Sequence, residues 1–267
     1  MRFLHLSDTH IMNDYQQNKL MNQLFSEDRN PVIYLKNVLQ KVAAEKIDFV
    51  LITGDLVHEG AKEDYDLFKS IWQDYLPDTP YFFCRGNHDR RDVFADGMGV
   101  ATNEQNDYIA LNEFKGLRII SLDTAQDLHH EGKISIQQME QLKDWLSVPA
   151  EKGTLLLLHH PLAWEEAGIA TETPAGFTEI IANSDILGIF VGHIHQGTTA
   201  SYGGKNQYMT EAISFGVDEF SDESVFTDRT GYNSCSLTEN GLVVYQHGLT
   251  PKQSILGRIP KPIEGNF

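Results

Sequence analysis

Seven side chains with nitrogen or oxygen donors, Asp8, His10, Asp55, Asn87, His159, His193 and His195, fall within five short stretches of the chain. The stretches read Ser-Asp-Thr-His at 7–10, Gly-Asp at 54–55, Gly-Asn-His-Asp at 86–89, His-His-Pro at 159–161 and Gly-His-Ile-His at 192–195. Carboxylate, imidazole and amide donors, with no thiolate among them, suit hard to borderline metal ions such as Mn, Fe or Zn. A pair of ions could share a set of this size. Four stretches follow apolar or β-branched runs, at 3–6, 49–53, 155–158 and 186–191. Before Gly86 the run at 81–84 does the same, with Arg85 intervening. Residues just past the C-terminal ends of buried strands occupy the crevice where open α/β sheets bind ligands. Five strand ends that all carry His, Asp or Asn therefore describe one site, where a bland core would place apolar side chains.

The elements that must hold these donors alternate along the chain. A strand is expected at 3–7. A helix at 31–46 carries Val32, Leu35, Val38, Leu39 and Val42 at helical spacing, capped by Asn30 and opened by Pro31. A strand at 48–53, an amphipathic helix at 63–75 and a strand at 81–84 follow. The stretch 90–106 reads as loop. Strands at 108–112 and 118–122 form a hairpin across Lys115-Gly116, and Ser135 with Gln138 opens a helix at 135–146 in a capping-box pattern. Strand 154–158, a short helix at 177–183 and strand 186–191 complete the donor-bearing part. Beyond it, 207–215, 232–237 and 242–246 are strand-like, the last two joined by a turn at Asn240-Gly241. No repeat or linker marks a boundary. Residues 1–267 are expected to form a single domain, with 196–267 completing a second sheet and supplying the C-terminal tail. The expected class is α/β, a central β-sandwich flanked by helices.

Composition narrows the partners. Thirty-eight acidic against 21 basic residues give a formal net charge of −17. A protein that grips long nucleic acid needs a basic surface to release counterions, so nucleic-acid polymers and anionic membranes are disfavoured. No stretch approaches the roughly 18 apolar residues of a membrane span. The chain enters a strand at once without a charged-then-apolar leader. Cys84 and Cys235 lie far apart, as isolated buried thiols would in a reducing compartment, and a cytoplasmic location is expected.

The order Asp-x-His, Gly-Asp, Gly-Asn-His-Asp, His and Gly-His-x-His resembles the signature of the calcineurin-like metallophosphoesterases, over residues 1 to about 195. That resemblance implies a four-layer fold whose central β-sandwich has two mixed sheets, and two bound divalent or trivalent ions. Asp8, His10 and His195 would hold one ion, Asn87, His159 and His193 the other, and Asp55 would bridge them. A water shared by the ions ionises near neutrality and would attack phosphorus in line with the leaving oxygen. His88, matching a histidine that lies near substrate without ligating metal, would protonate the leaving group, or only bond a phosphate oxygen. Asn87, His88 and His58 are the expected substrate contacts.

The wording Leu-Ser-Asp-Thr-His, Gly-Asp-Leu-Val, Gly-Asn-His-Asp and His-His-Pro looks like class III cyclic-nucleotide phosphodiesterases and bacterial glycerophosphodiesterases. Leu162 stands where a second proline is usual, and Lys133-Ile134 departs from the usual helix approach. The implied substrate is a small phosphodiester, a cyclic nucleotide or a glycerophosphodiester. A phosphomonoesterase of the same fold is the alternative, and a non-catalytic scaffold is disfavoured because all eight positions are intact. A homo-oligomer is compatible with the sequence.

The remaining candidates carry weaker expectations. His160 should turn away from the metal-facing side by strand alternation. His129 and His130 sit in a loop that could meet substrate; His5 and His247 read as structural. Arg90 and Arg91 could steady a phosphate or simply face solvent. Asp89 could orient a site histidine or cap a helix.

Overall fold

The computed structural model of the chain describes residues 1–126, 129–249 and 254–261. Strand β1 (Arg2–Leu6) lies at the centre of a five-stranded sheet. It pairs in parallel with β2 (Phe49–Thr53), which pairs in parallel with β3 (Tyr81–Cys84). On its other side β1 pairs antiparallel with β12 (Gly231–Thr238), and β12 with β13 (Gly241–Gly248). The second sheet has six strands. In spatial order they are β4 (Ala110–Phe114), β5 (Leu117–Ser121), β6 (Thr154–Leu157), β7 (Ile186–Val191), β9 (Lys205–Met209) and β8 (Thr199–Tyr202). Both sheets are mixed, because hairpins edge a parallel centre.

Period-two alternation divides each central strand between two cores. Phe3, Phe49, Leu51 and Cys84 face Leu117, Ile119, Leu155, Leu157 and Phe190 across the sandwich. Their neighbours Leu4, Leu6, Val50 and Ile52 pack outward against helices α2 (Pro31–Val42), α3 (Lys62–Tyr75) and α4 (Arg91–Met98). Ile120, Leu156, Ile189 and Val191 pack against α5 (Ile136–Trp145) and α6 (Phe177–Ala182). The result is the expected helix–sheet–sheet–helix layering. The caps also form as the sequence implies: Asn30 Oδ1 accepts from Ile33 N, and Ser135 and Gln138 exchange bonds of 3.1 and 3.4 Å.

Three expectations need correction. The supposed loop at 90–106 contains α4, whose buried Phe94 packs among Tyr65, Phe83 and Tyr108. Two glycines disguised it. Gly99 ends the helix in the left-handed conformation, and Gly97 lets it approach Tyr65 so closely that a Cβ would lie 2.3 Å from the ring. The expected strand 207–215 stops at Met209, because Ile213 N and Ser214 N bond Ser7 O and Asp8 O and draw the chain across the strand ends.

The third concerns the tail. Residues expected to complete one sheet are divided among three: β8 and β9 in the second, β12 and β13 in the first, and β10 (Gly216–Glu219), β11 (Glu223–Thr227) and β14 (Ile255–Pro260) in a separate antiparallel sheet. Helix α1 (Lys19–Leu24) packs against this third sheet through Met21, Leu24, Phe25, Phe215 and Phe226.

Candidate metal centre

The strand ends converge as expected, and the backbone there is strained. Asp8, His10, Asp55, His193 and His195 all have positive φ, between 44° and 75°. A non-glycine residue in that region costs of the order of 1–3 kcal/mol and persists only where its surroundings impose it. Glycines make the convergence sterically feasible. A Cβ on Gly86 would fall 2.1 Å from Asp55 Oδ1, and one on Gly192 would fall 1.9 Å from Ser7 Oγ.

The donors fall into two connected groups. In the first, His195 Nε2 lies 3.3 Å from both His10 Nε2 and Asp8 Oδ1. In the second, His159 Nε2 lies 3.0 Å from Asn87 Oδ1, and the His193 ring is 5.1 Å from the His159 ring. Asp55 Oδ2 stands between the groups, 3.6 Å from His10 Nε2 and 3.2 Å from His159 Nε2. Asp8, His10, Asp55, His159 and His195 are buried.

Hydrogen bonding fixes where the lone pairs point. His195 Nδ1 donates to Phe215 O at 2.7 Å, and His159 Nδ1 donates to Thr53 O at 2.7 Å. The neutral form of each ring must then turn an unprotonated Nε2 inward. In each group a lone pair faces carboxylate or amide oxygens, or another imidazole, at roughly van der Waals distance with no hydrogen to spare. A cation resolves that repulsion, so the residues fit a metal. A proton is the other remedy. Although burial opposes its charge, Asp55 and Asp8 push His159 up to about 9. Burial opposes ionisation of Asp55 too, yet His159 and His88 hold its carboxyl well below the ordinary range. Asp8 is likewise lowered, by His195 against burial.

His88 stands beside this cluster, its backbone N–H bonded to Asp55 Oδ1 at 2.8 Å and its Nδ1 3.5 Å from Glu59 Oε1. Asp55 and Glu59 raise its pKa despite burial. His58 stacks on His88 at 4.5 Å. Both line a cavity of about 1000 Å³ whose floor includes His10, Asp55, His193 and His195. His130 also lines it, as the sequence allowed, whereas His129 does not. His5 is buried between Thr53 and Asn233, and His247 stacks on Tyr232.

His160 departs from expectation. Strand β6 ends at Leu157, so alternation no longer governs position 160, and its ring lies 4.3 Å from that of His193. Its Nδ1 bonds Thr124 Oγ1 at 2.9 Å. Arg90 pairs with Asp92 and Arg91 with Asp107, and neither lines the cavity. Asp89 serves neither role considered. It accepts from Gly86 N, Leu56 N and Val57 N and from the Tyr65 hydroxyl, clamping the loops after β2 and β3 together.

Sequence reading passed over two supports. Arg85 is buried and donates to Asp123 Oδ2, Asp89 O and Ala125 O, fastening the 86–89 loop to the loop after β5. Its signal was a lone cation closing an otherwise apolar strand. Phe215 packs against His10 and His195, at 5.5 and 4.5 Å between ring centres, from a segment with no motif to mark it.

Residues 1–197 match the profile of the calcineurin-like phosphoesterases, and the chain belongs to that family. It is accordingly a metal-dependent phosphoric-ester hydrolase by class. Among its relatives, a probable cyclic nucleotide phosphodiesterase of Rhodococcus erythropolis is 28% identical over 93% of this chain and 82% of its own. A cAMP/cGMP dual specificity phosphodiesterase of Mycobacterium tuberculosis is 27% identical, over 88% of this chain and 74% of its own. Solved structures agree on the fold. A purple acid phosphatase from yellow lupin superposes with a TM-score of 0.65 at 14% identity, over 97% of this chain and 53% of its own. A dimetal phosphatase from Danio rerio gives 0.60 at 13%, over 85% and 95%.

Proposed function

We propose that the protein is a binuclear-metal phosphodiesterase acting on a small phosphodiester, a cyclic nucleotide or glycerophosphodiester, with the whole chain folded as one unit. The observation that carries the diester over the monoester is the cavity's charge. Among the described lining residues the one lysine or arginine is Lys261, and it pairs with Glu219 at 2.9 Å. A dianionic monoester meets no further lysine or arginine among these residues; a monoanionic diester needs less. The relatives' names point the same way.

Asp8, His10 and His195 would hold one ion and Asn87, His159 and His193 the other, with Asp55 shared between them. The paired ions, Mn, Fe or Zn by donor type, would neutralise phosphoryl oxygens and lower the pKa of a bound water. His88, held by Asp55 and Glu59 at the cavity wall, would deliver the proton that an alkoxide leaving group needs. His58 and Asn87 would contact the phosphoryl oxygens. Cys84 and Cys235 are free and buried, which suits a reducing, cytoplasmic setting. Among the described residues no helix is long and apolar enough to cross a membrane.

The test is turnover of bis(p-nitrophenyl) phosphate against p-nitrophenyl phosphate, after chelation and add-back of each metal singly. Diester turnover restored by a first-row divalent ion is expected. Preference for the monoester would replace this reading with a phosphatase.

A further inference from the structure

Above the donor cluster the cavity changes character. One wall comes from the parts of the chain that carry no motif: Met21 on α1, Phe215, Val217 on β10 and Phe226 on β11. Trp164 and Ile169, from the loop between β6 and α6, also line the cavity. Charge is confined to the rim, where Glu165 and Glu166 are exposed and Lys261 is already engaged by Glu219. An apolar cleft beside the donor cluster, with Glu165 and Glu166 exposed among its lining residues, selects for what the ester carries as well as for its phosphorus.

From this juxtaposition, and building on the diesterase reading above, we infer that the preferred substrate is a phosphodiester carrying one bulky apolar substituent and no second anionic group. The apolar substituent lies between Trp164 and the Phe215–Phe226 wall, while the phosphoryl group rests over the donor cluster. Apolar contact supplies affinity at roughly 0.8 kcal/mol per fully buried methylene, which is about fourfold in binding. Glu165 and Glu166 repel a terminal carboxylate or second phosphate. The third sheet and α1 thereby act as a specificity wall added to the phosphoesterase sandwich.

Binding separates this inference from the catalytic one. Dissociation constants of methyl-, butyl- and octylphosphonate, measured by calorimetry on Mn-reconstituted protein, should tighten with chain length by up to about fourfold per methylene until the cleft is filled. A chain ending in a carboxylate should bind at least severalfold more weakly than its methyl-ester counterpart, and Glu165→Gln with Glu166→Gln should narrow that gap. Trp164→Ala should flatten the chain-length dependence. Phe226→Ala should do the same, so misfolding of either variant leaves the other as the test. Dissociation constants independent of chain length, or tighter binding of the carboxylate-ended chain, overturn the inference. Steep chain-length dependence without hydrolysis of any p-nitrophenyl alkyl diester would overturn the diesterase reading and leave the wall standing.

Discussion

His58 Nδ1 lies 3.0 Å from His10 Nδ1, both rings being buried. One of these nitrogens must donate. If His10 turns a lone pair at Nε2 toward Asp55 and His195, its Nδ1 carries the proton and His58 accepts it. His58 therefore fixes the tautomer of a proposed ligand. Its own Nε2, buried with no hydrogen-bond partner among the described residues, then carries the N–H.

His58→Ala should weaken binding of the ion proposed for Asp8, His10 and His195 about 10–100-fold, the usual cost of losing an outer hydrogen bond to a metal ligand. Manganese titration by calorimetry or electron paramagnetic resonance checks it. Unchanged affinity at both sites would show that His10 is oriented without help from His58.

Asp55→Asn should lower occupancy at both ions, since Asp55 Oδ2 faces the two groups at once. His195→Ala should chiefly lower one, and excess metal should partly rescue it. Stoichiometric binding of two ions by the Asp55→Asn variant, with ordinary turnover, would remove Asp55 from the bridge.

His88→Ala should keep its metal and lose turnover according to the leaving group. General acid catalysis contributes roughly 10²–10⁴-fold. An alkoxide needs the proton, so most of that factor should vanish on an alkyl diester, whereas a nitrophenolate diester should lose little. Equal losses on the two would assign His88 to phosphate positioning.

Gly86→Ala should abolish metal binding while costing about 1–3 kcal/mol of stability, the usual range for overpacking. Its new Cβ would meet Asp55 N as well as Asp55 Oδ1, at 2.3 and 2.1 Å, and the backbone atom cannot rotate away. Gly248→Ala, with nothing within 4 Å, is the control and should bind metal normally. Normal metal content in the Gly86→Ala variant contradicts the prediction.

Stability should depend on pH through His5, which burial lowers from 6.5 to about 3 despite the raising influence of Asp8. The folded chain thus holds His5 neutral where the unfolded chain protonates it. Between pH 6.5 and about 3 the unfolded state binds more protons. The stabilisation is complete above 6.5 and is lost as pH falls through that window. Urea midpoints of the wild type and His5→Gln should converge on acidification. Parallel pH profiles would mean that His5 is not held neutral by the fold.

Much of the centre was legible in the sequence because strand-end donors need only two things, a buried strand and the residue after it. Asp8, Asp55 and His193 each follow an apolar run, and a parallel strand can deliver that residue to only one edge of the sheet. Local signals likewise gave α2 and α5, whose caps lie within three residues of the groups they satisfy. Helix α4 was missed because Gly97 and Gly99 imitate a loop, and only the closeness of Tyr65 explains the first.

The donors, their order and the charge of the chain were thus determined by sequence alone. Tertiary structure decided what surrounds them. His160 faces His193 because the strand ended a residue earlier than alternation assumed. Arg85 became a buried clasp because Asp123, 38 positions away, lies just past the end of β5 in the neighbouring sheet. Phe215 and Phe226 became a cavity wall because β14 returns from the end of the described chain to pair with β11. Contacts of that separation leave no periodicity in the sequence. They depend on which surfaces remain to be covered after the two principal sheets have packed.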